Sequence, residues 1–353
     1  MNRYVRVFAS LIVLVAGIAS AQPVQLRNAR LKTDASRDQL RQRVDRIARA
    51  AREPVWIAYE IPLATPDVSM CCYTDGDYRS GGSRACNLER DGSTSMTNEE
   101  GPGLDRSGFV FMRFDQGVMS RIRVFTNDCT VDAGNREVYW LPEVDPGQSV
   151  AMLNEGLTDR SAKNRLDGPR IHAMAMHRGA AALNSLDRIA LSQAEGEIRG
   201  HSLFWLAQAG GQRGFETIRR VARNEADSEH VREKAVFAIT QSPVAGATDE
   251  LINLARGAAS AEIRSKALFW LGQKAGRKAT AALKDAVDDD PDADVKEKAV
   301  FAISQLPPDE SVPLLIELAR KHKNAGVRKK AMFWLGQSND QRALNFFEKV
   351  LSE

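Results

Sequence analysis

Five segments of eleven residues in the second half of the chain decide its fold. They are IRGHSLFWLAQ at 198–208, VREKAVFAITQ at 231–241, IRSKALFWLGQ at 263–273, VKEKAVFAISQ at 295–305 and VRKKAMFWLGQ at 327–337. They align without a gap, and their starts are separated by 33, 32, 32 and 32 residues. A match at one fixed period indicates a repeat architecture.

A second, shorter helical stretch follows each segment, such as FETIRRVARN or VPLLIELAR, after turn residues such as Ser242-Pro243. Each unit is therefore expected to be a helix–turn–helix that buries its apolar faces only by stacking on its neighbours. Over residues 165–353 the pattern resembles the HEAT repeat, in the short bacterial form also found in phycobilin-lyase-like proteins. We therefore expect an all-α, HEAT-like solenoid of five to six helical pairs over residues 146–353.

The positions within each segment predict which way each side chain faces. The first, fifth and ninth positions share one helix face and are apolar in nearly every copy, so this face should point to the solenoid core. The seventh position lies well round from that face and is always phenylalanine, which predicts an inner helix buried on both sides. These residues are Phe204, Phe237, Phe269, Phe301 and Phe333.

The second position of each segment is basic, and acidic residues come shortly before it. HEAT-like repeats commonly tie neighbouring units through such acid–Arg pairs, which is the favoured interpretation here, and capture of a ligand is the alternative. The basic residues are Arg199, Arg232, Arg264, Lys296 and Arg328, and the acidic ones are Asp227, Glu229, Glu262, Asp292 and Asp294.

The eighth position gives the candidate binding site. There, large and small side chains alternate, and a basic residue lies four residues earlier on the same helix face. Volume complementarity between stacked helices is the favoured explanation, and a groove for a peptide, glycan or acidic ligand is the alternative. The alternating residues are Trp205, Ala238, Trp270, Ala302 and Trp334, and the basic ones are His201, Lys234, Lys266, Lys298 and Lys330.

Residues 30–145 have a different period and predict a small α+β domain. Residues 34–53 have helical spacing, with Ser36 and Gln39 as a capping box and an arginine-rich, solvated face. VWIAYEI and EVYWL predict short strands, and SGFVFMRF and VMSRIRVF predict a hairpin around Asp115-Gln116-Gly117. Residues 74–106 are rich in Gly, Ser, Asp and Asn and predict a long irregular loop.

The first 21 residues predict a cleavable signal peptide. A basic start, MNRYVR, precedes the apolar run VFASLIVLVAGIA and the small residues Ala19-Ser20-Ala21. The apolar run is shorter than the roughly 20 residues that a membrane-spanning helix needs. We therefore expect cleavage after Ala21 and a periplasmic or secreted protein.

Export changes how the four cysteines are interpreted, because disulfides persist in oxidising compartments. A Cys₄ zinc site is the alternative, but its C-x₂-C spacing is missing. A bond between Cys71 and Cys72 would close a strained ring, so each should pair with Cys86 or Cys129. The spacing leaves open which pairs with which.

Composition narrows the function. The chain has 49 basic and 46 acidic residues, which gives no general electrostatic attraction to nucleic acid, and no nucleotide, metalloprotease or hydrolase motif is present. Iron-binding HEAT-like enzymes use His-Glu pairs, and this sequence has none. We therefore expect no metal and no cofactor, and a non-catalytic interaction or scaffold module that binds a protein or peptide. The alternative is an enzyme or small-ligand-binding protein with a site in the α+β domain or at the domain junction, near Asp128, Arg121 and Tyr139.

Overall fold

A mixed β-sheet precedes an all-helical region in the computed structural model. The structure describes residues 25–65, 67–72, 86–90, 94–98, 106–158, 164–274 and 277–352, so the predicted signal peptide lies outside the described residues. The elements of the first region are β1 (Gln25–Thr33), α1 (Leu40–Ala50), β2 (Val55–Pro62), β3 (Val68–Cys72), β4 (Cys86–Asn87), β5 (Thr94–Asn98), β6 (Ser107–Asp115), β7 (Val118–Thr126) and β8 (Thr130–Trp140).

The main sheet has the strand order β1-β8-β2-β6-β7, and β4 also pairs with β8. The pairs β1–β8 and β2–β8 are parallel, whereas β2–β6 and β6–β7 are antiparallel, and β3 and β5 form a separate pair. Side chains of β2 alternate between two apolar layers, as the period of a strand requires. Ile57 and Tyr59 belong to the core shared with the helices, whereas Trp56 and Ala58 belong to the core on the other face.

The hairpin forms where the sequence predicts it. Gln116 and Gly117 both have positive φ, +49° and +80°, which two-residue hairpin turns of type I′ require. The first four residues of EVYWL are the end of β8, a strand much longer than predicted. Strand β1 was not predicted, because its sequence QLRNARLKT is polar and mostly exposed; backbone pairing with β8 holds it in place.

The predicted helix over residues 34–53 is shorter than expected, and its capping box is wrong. Helix α1 begins at Leu40, and no side chain of its own caps it. Instead, the Leu40 N–H donates to Oε1 of Gln148, a residue of the first helix after the sheet, at 2.7 Å. The arginine face is also not fully solvated, because Arg43 is buried and donates to the carbonyl oxygens of Pro142 and Asp34.

Part of the predicted loop over residues 74–106 is ordered as strands β4 and β5. Two disulfides are present in the sheet region: Cys71 is bonded to Cys129, and Cys72 is bonded to Cys86. Each vicinal cysteine thus pairs with a distant partner, and the second bond ties β4 to the end of β3. Two disulfides fit a protein that folds in an oxidising compartment.

This pairing predicts which cysteine variants keep a disulfide. Replacing Cys72 and Cys86 together by Ser should leave one bond, between Cys71 and Cys129, and no free thiol. Replacing Cys71 and Cys86 together should leave Cys72 and Cys129 as two thiols whose normal partners are gone. Intact mass after alkylation under denaturing, non-reducing conditions distinguishes the two variants. Equal numbers of alkylated thiols in both would contradict the pairing.

The remainder of the chain is helical and forms two layers. The helices are α2 (Pro146–Asn154), α3 (Asp167–Ala175), α4 (Ala180–Ala190), α5 (Gly196–Ala209), α6 (Gly211–Arg223), α7 (Glu229–Gln241), α8 (Ala247–Gly257), α9 (Ala261–Gln273), α10 (Arg277–Asp289), α11 (Ala293–Ser304), α12 (Pro308–Lys321), α13 (Ala325–Gly336) and α14 (Gln341–Ser352). The odd-numbered helices from α3 to α13 pack side by side in one layer, and the even-numbered helices from α4 to α14 pack against them as the second layer. Among the described residues, no helix is long and apolar enough to cross a membrane.

Four of the segment-bearing helices begin in the same way. Ser228, Ser260, Asp292 and Asn324 each lie three residues before a segment, and each side chain accepts a hydrogen bond from the backbone N–H of the segment's first residue. Such N-caps satisfy one of the unpaired donors of the first turn. The repeat therefore fixes the start of each helix and, with it, the face that each later position presents.

A buried hydrogen-bonded chain joins the sheet to the helices. The Tyr59 and Ser149 hydroxyls lie 2.7 Å apart, and Ser149 Oγ lies 2.8 Å from Nε2 of His177. His177 Nδ1 lies 2.8 Å from the Ala173 carbonyl oxygen, which can only accept, so Nδ1 carries the proton. Burial lowers the pKa of His177 to about 4 and raises the pKa of Tyr59, so both groups are neutral at pH 7.

The neutral state of His177 predicts a loss of stability in acid. The pKa of an unfolded histidine is about 6.5, so between that value and about 4 the unfolded chain binds a proton that the native chain does not. The contribution of His177 is therefore complete above pH 6.5 and is lost as the pH falls to 4, by up to about 3 kcal/mol. Urea unfolding at pH 7.5 and 4.5 measures this loss together with that of His172, whose pKa burial also lowers to about 4. His177→Gln should show a smaller difference between the two pH values, and an unchanged difference would contradict the assignment.

Candidate interaction surface

The segment-bearing helices present the same positions in the same direction. The first, fifth and ninth positions face the second helix layer, as predicted, and in α9 they are Ile263, Ala267 and Leu271, all fully buried. The opposite side of α5, α7, α9, α11 and α13 has no helix layer over it among the described residues. Side chains that project outward from that side are covered by no other helix among the described residues.

The prediction that the phenylalanines are buried on both sides is wrong. Phe204, Phe237, Phe269 and Phe301 are half-buried, and Phe333 is 54% exposed. Helical spacing shows that these rings lie away from the core face, but it does not show whether another layer covers them. The solenoid has two layers, so the rings form part of its open side.

The phenylalanines and the tryptophans form one continuous row of rings across five helices. The Phe204 and Phe237 rings stack with centroids 6.4 Å apart, and Phe269 and Phe301 stack at 6.2 Å. Trp270 connects these pairs, at 5.2 Å from Phe237 and 4.9 Å from Phe269. We call this set the aromatic row: Phe204, Trp205, Phe237, Phe269, Trp270, Phe301, Phe333 and Trp334.

The tryptophans combine features of both interpretations of their position. Trp205, Trp270 and Trp334 are half-buried and pack against the core, while the alternating Ala238 and Ala302 are buried. Large and small residues therefore do alternate along the array, as volume complementarity requires. The remaining exposed part of each indole belongs to the open surface.

The lysines beside the aromatic row are paired with glutamates, which the sequence reasoning missed. Each lysine reaches a glutamate on the preceding segment-bearing helix. The hydrogen bond that Lys266 donates to Glu233 raises the pKa of Lys266, and the one that Lys298 donates to Glu262 lowers the pKa of Glu262. The row is therefore flanked by balanced charge. The pairs are Lys234–Glu197 at 2.9 Å, Lys266–Glu233 at 3.2 Å, Lys298–Glu262 at 3.1 Å and Lys330–Glu297 at 3.4 Å.

A groove of about 520 Å³ lies at the centre of the aromatic row. Phe237, Phe269, Trp270 and Phe301 line it, together with the Glu–Lys pairs. Ser265 also lines it and is only 5% exposed, yet its Oγ has no hydrogen-bond partner among the described residues. A buried hydroxyl without a partner costs about 1–3 kcal/mol, so a ligand group that satisfies Ser265 would relieve that cost.

Two histidines lie at the start of the row. His172 of α3 stacks on Trp205, with ring centroids 4.7 Å apart and planes within 11°. The ring of His201 lies against Gly168, where a Cβ would come within 3.2 Å of its Nε2. His201 therefore packs between helices α3 and α5, and the lysines at the corresponding position of later repeats pair with glutamates instead.

The acid–Arg pairing favoured from the sequence occurs at two of the five ladder positions in the described part of the chain, and of the expected acids only Asp227 takes part. Arg199 makes two hydrogen bonds to Asp227, at 2.6 and 2.9 Å, and Arg264 makes two to Asp290, at 2.8 and 3.0 Å. Asp290 was not among the acids expected. The other basic residues of the ladder donate hydrogen bonds to backbone carbonyl oxygens, as Arg232 does to that of Ala222.

The three residues proposed for a site in the α+β domain do not come together. Asp128 accepts from Ser69 and Arg106, Arg121 donates to the Leu88 carbonyl, and Tyr139 contacts Lys32. A cavity of about 660 Å³ lies at the junction of the sheet and the helical region, and Glu60, Arg106, Trp140 and Arg178 are among the residues that line it. Its arginines already bind protein groups, Arg106 at Asp128 and Arg178 at the Leu63 carbonyl.

Three solved structures that this chain resembles each cover 58% or 59% of it. Human deoxyhypusine hydroxylase in complex with glycerol is 14% identical, with 58% of this chain and 90% of that chain covered and a TM-score of 0.25. YibA of Escherichia coli is 16% identical over 59% of this chain and 76% of that one, with a TM-score of 0.34. A computationally designed self-assembling cyclic homooligomer is 15% identical, with 59% of this chain and 82% of that chain covered and a TM-score of 0.14. Scores this low support no conclusion about function.

No curated protein matches the sequence. Residues 280–353 match the family of HEAT repeats. The sequence-based resemblance is confirmed in that part, and the helical region of the chain is a HEAT-like solenoid.

Proposed function

We propose that this protein is a non-catalytic interaction module of the cell envelope or the secreted space, whose aromatic row binds an extended segment of a partner protein. The observation that carries the proposal is the groove at Trp270, which is lined both by aromatic rings and by Ser265, a buried residue whose hydroxyl has no hydrogen-bond partner in the described part of the chain. HEAT-like solenoids use extended surfaces of this kind to bind other proteins.

The charge and ring arrangement favour a peptide over other ligands. The Glu–Lys pairs leave no excess of either charge, so an acidic polymer would gain little electrostatic attraction from this surface. Sugars stack on open aromatic faces, but Phe237 and Phe301 each lie between two neighbouring rings along the array. Their edges carry positive partial charge, which suits the carbonyl oxygens and apolar side chains of a peptide.

An extended segment fits better than a helix. A helix satisfies its own backbone groups, whereas an extended peptide leaves N–H and C=O groups free along its length. Ser265, Lys266 and Glu262 line the groove and can pair with such groups. The ligand would therefore use its backbone for affinity and its apolar side chains for specificity.

Export is part of the proposal and rests on the sequence of residues 1–21 and on the two disulfides. N-terminal sequencing of the protein from a periplasmic or extracellular fraction should begin at Gln22. A full-length protein that stays in the cytoplasmic fraction with four reactive thiols would overturn this part without affecting the binding proposal.

A displayed library of random peptides, selected on the purified protein, tests the binding proposal. The enriched peptides should be rich in apolar residues and carry little net charge, and they should bind Phe269→Ala at least tenfold more weakly. Val118→Ser is the control, because Val118 is 68% exposed on the hairpin, outside the row. Peptides that bind Phe269→Ala as well as the parent protein would contradict the proposal.

Ser265→Ala separates binding from packing at the same site. Removing an unpartnered buried hydroxyl should leave the unfolding free energy unchanged or slightly higher. The same change should weaken selected peptides several-fold, because their polar group loses its partner. A clear loss of stability would show that the hydroxyl is already satisfied within the protein.

A further inference from the structure

The aromatic row repeats every two units and not every unit. Tryptophan occupies the eighth position in the first, third and fifth segments, and alanine takes its place in the second and fourth. Each tryptophan is edge-on to the phenylalanine of its own helix, with ring planes between 76° and 81° apart. This edge-on contact of Trp270 therefore recurs at Trp205 and Trp334. The preceding helix of the same layer contributes a phenylalanine at Trp270 and Trp334, and His172 at Trp205.

The ring contacts limit the distance between these equivalent sites. From Trp205 the row runs to Phe204 at 5.1 Å, then to Phe237 at 6.4 Å, and then to Trp270 at 5.2 Å. The Trp205 and Trp270 centroids are thus at most about 17 Å apart. The corresponding contacts through Phe269 and Phe301 place Trp334 at most about 16 Å from Trp270.

This limit can be compared with the length that an extended peptide covers per residue. A strand rises about 3.3 Å per residue, so four residues span about 13 Å and six span about 20 Å. Six residues therefore exceed this limit. Two residues span only about 7 Å and are too short to pass the intervening helix, because packed helices lie about 8–10 Å apart. Four residues fit within the limit. Three or five residues would direct the second side chain to the opposite face of the strand, because side chains alternate.

We infer that the partner segment carries apolar anchor residues four positions apart, each held at one tryptophan site of the aromatic row. This inference rests on the proposed function and specifies its ligand: an uncharged, extended peptide with the anchors at i and i+4. Two anchors on one peptide bind as linked events, so the second is favoured by a high effective concentration. Apolar residues at i+2 would lie between the sites, above the alanine-bearing repeats.

Capped, uncharged peptides of twelve residues test the inference, with a Ser/Thr/Gln background and two phenylalanines three, four or five positions apart. A peptide with one phenylalanine gives the single-site affinity. Calorimetric titration of the full chain should show the i, i+4 peptide binding at least tenfold more tightly than the others. With Trp270→Ala, which removes the middle site, this advantage should disappear.

The outcomes separate the inference from the function on which it rests. Equal affinity for the three spacings, with clear binding of the single-anchor peptide, would overturn the inference and leave the proposed function intact. Tighter binding of a helix-forming peptide with the same anchors would also overturn it. If no peptide binds, including those from the library, the proposed function itself fails.

Discussion

Replacing Asp290 by Ala should lower the free energy of unfolding by about 3–5 kcal/mol. Asp290 is 8% exposed and receives two hydrogen bonds from the buried guanidinium of Arg264. The pairing with Asp290 also raises the pKa of Arg264, so the arginine remains charged. Removing the acid leaves a buried positive charge without its partner, which is costly in this range. Chemical denaturation followed by circular dichroism measures the change.

The matched control is Asp285→Ala in α10, the helix that ends directly before Asp290. Asp285 pairs with Arg256, but both side chains are about half exposed, so the loss should be below about 1 kcal/mol. In a solenoid the Asp290 variant should also broaden the unfolding transition, because α9 and α11 belong to adjoining repeats that it helps to tie together. Similar losses for the two variants would show that burial does not determine the strength of this pair.

Replacing Trp270 by Ala should weaken the binding of a selected peptide by about 30-fold or more. An aromatic residue at the centre of a binding surface typically contributes 2 kcal/mol or more to the binding free energy, which corresponds to that factor. Trp270 lies at the middle of the aromatic row and lines its groove. Since the ring is half-buried, we expect a stability loss of about 2 kcal/mol, below the 3–5 kcal/mol of full core burial.

Trp140→Ala provides the control for Trp270→Ala. Trp140 is also half-buried and contacts Phe109, but it lies at the end of β8 and lines the junction cavity. It should show a comparable stability loss and unchanged peptide affinity. Loss of affinity in Trp140→Ala with retention in Trp270→Ala would favour a site at the domain junction, the alternative function.

The helical region is the part that the sequence specifies best. A fixed period defines the unit, and the core positions follow from helical spacing, as at Ile263 and Leu271. The repeated N-caps, such as Ser260 and Asp292, lie three residues before each segment. Because cap residues mark helix starts, these residues also specify in the sequence where each helix begins. Local patterns recur here because each unit contacts only its neighbours.

The remaining features depend on contacts between distant residues. Strand β1 is polar and is stabilised by pairing with β8, about a hundred residues later. The start of α1 depends on Gln148, and not on Ser36 as the local pattern predicted. The half-exposure of Phe269 depends on how many helix layers form, which no single segment specifies. The unpartnered hydroxyl of Ser265 has no sequence signature at all.

Hydroxyl-radical footprinting of the protein with and without a selected peptide tests most directly whether the aromatic row is the binding surface. Oxidation of aromatic side chains should fall at Phe237, Phe269, Trp270 and Phe301 when the peptide binds, and it should remain the same at Trp140. Protection at Trp140, with unchanged oxidation along the aromatic row, would contradict the account.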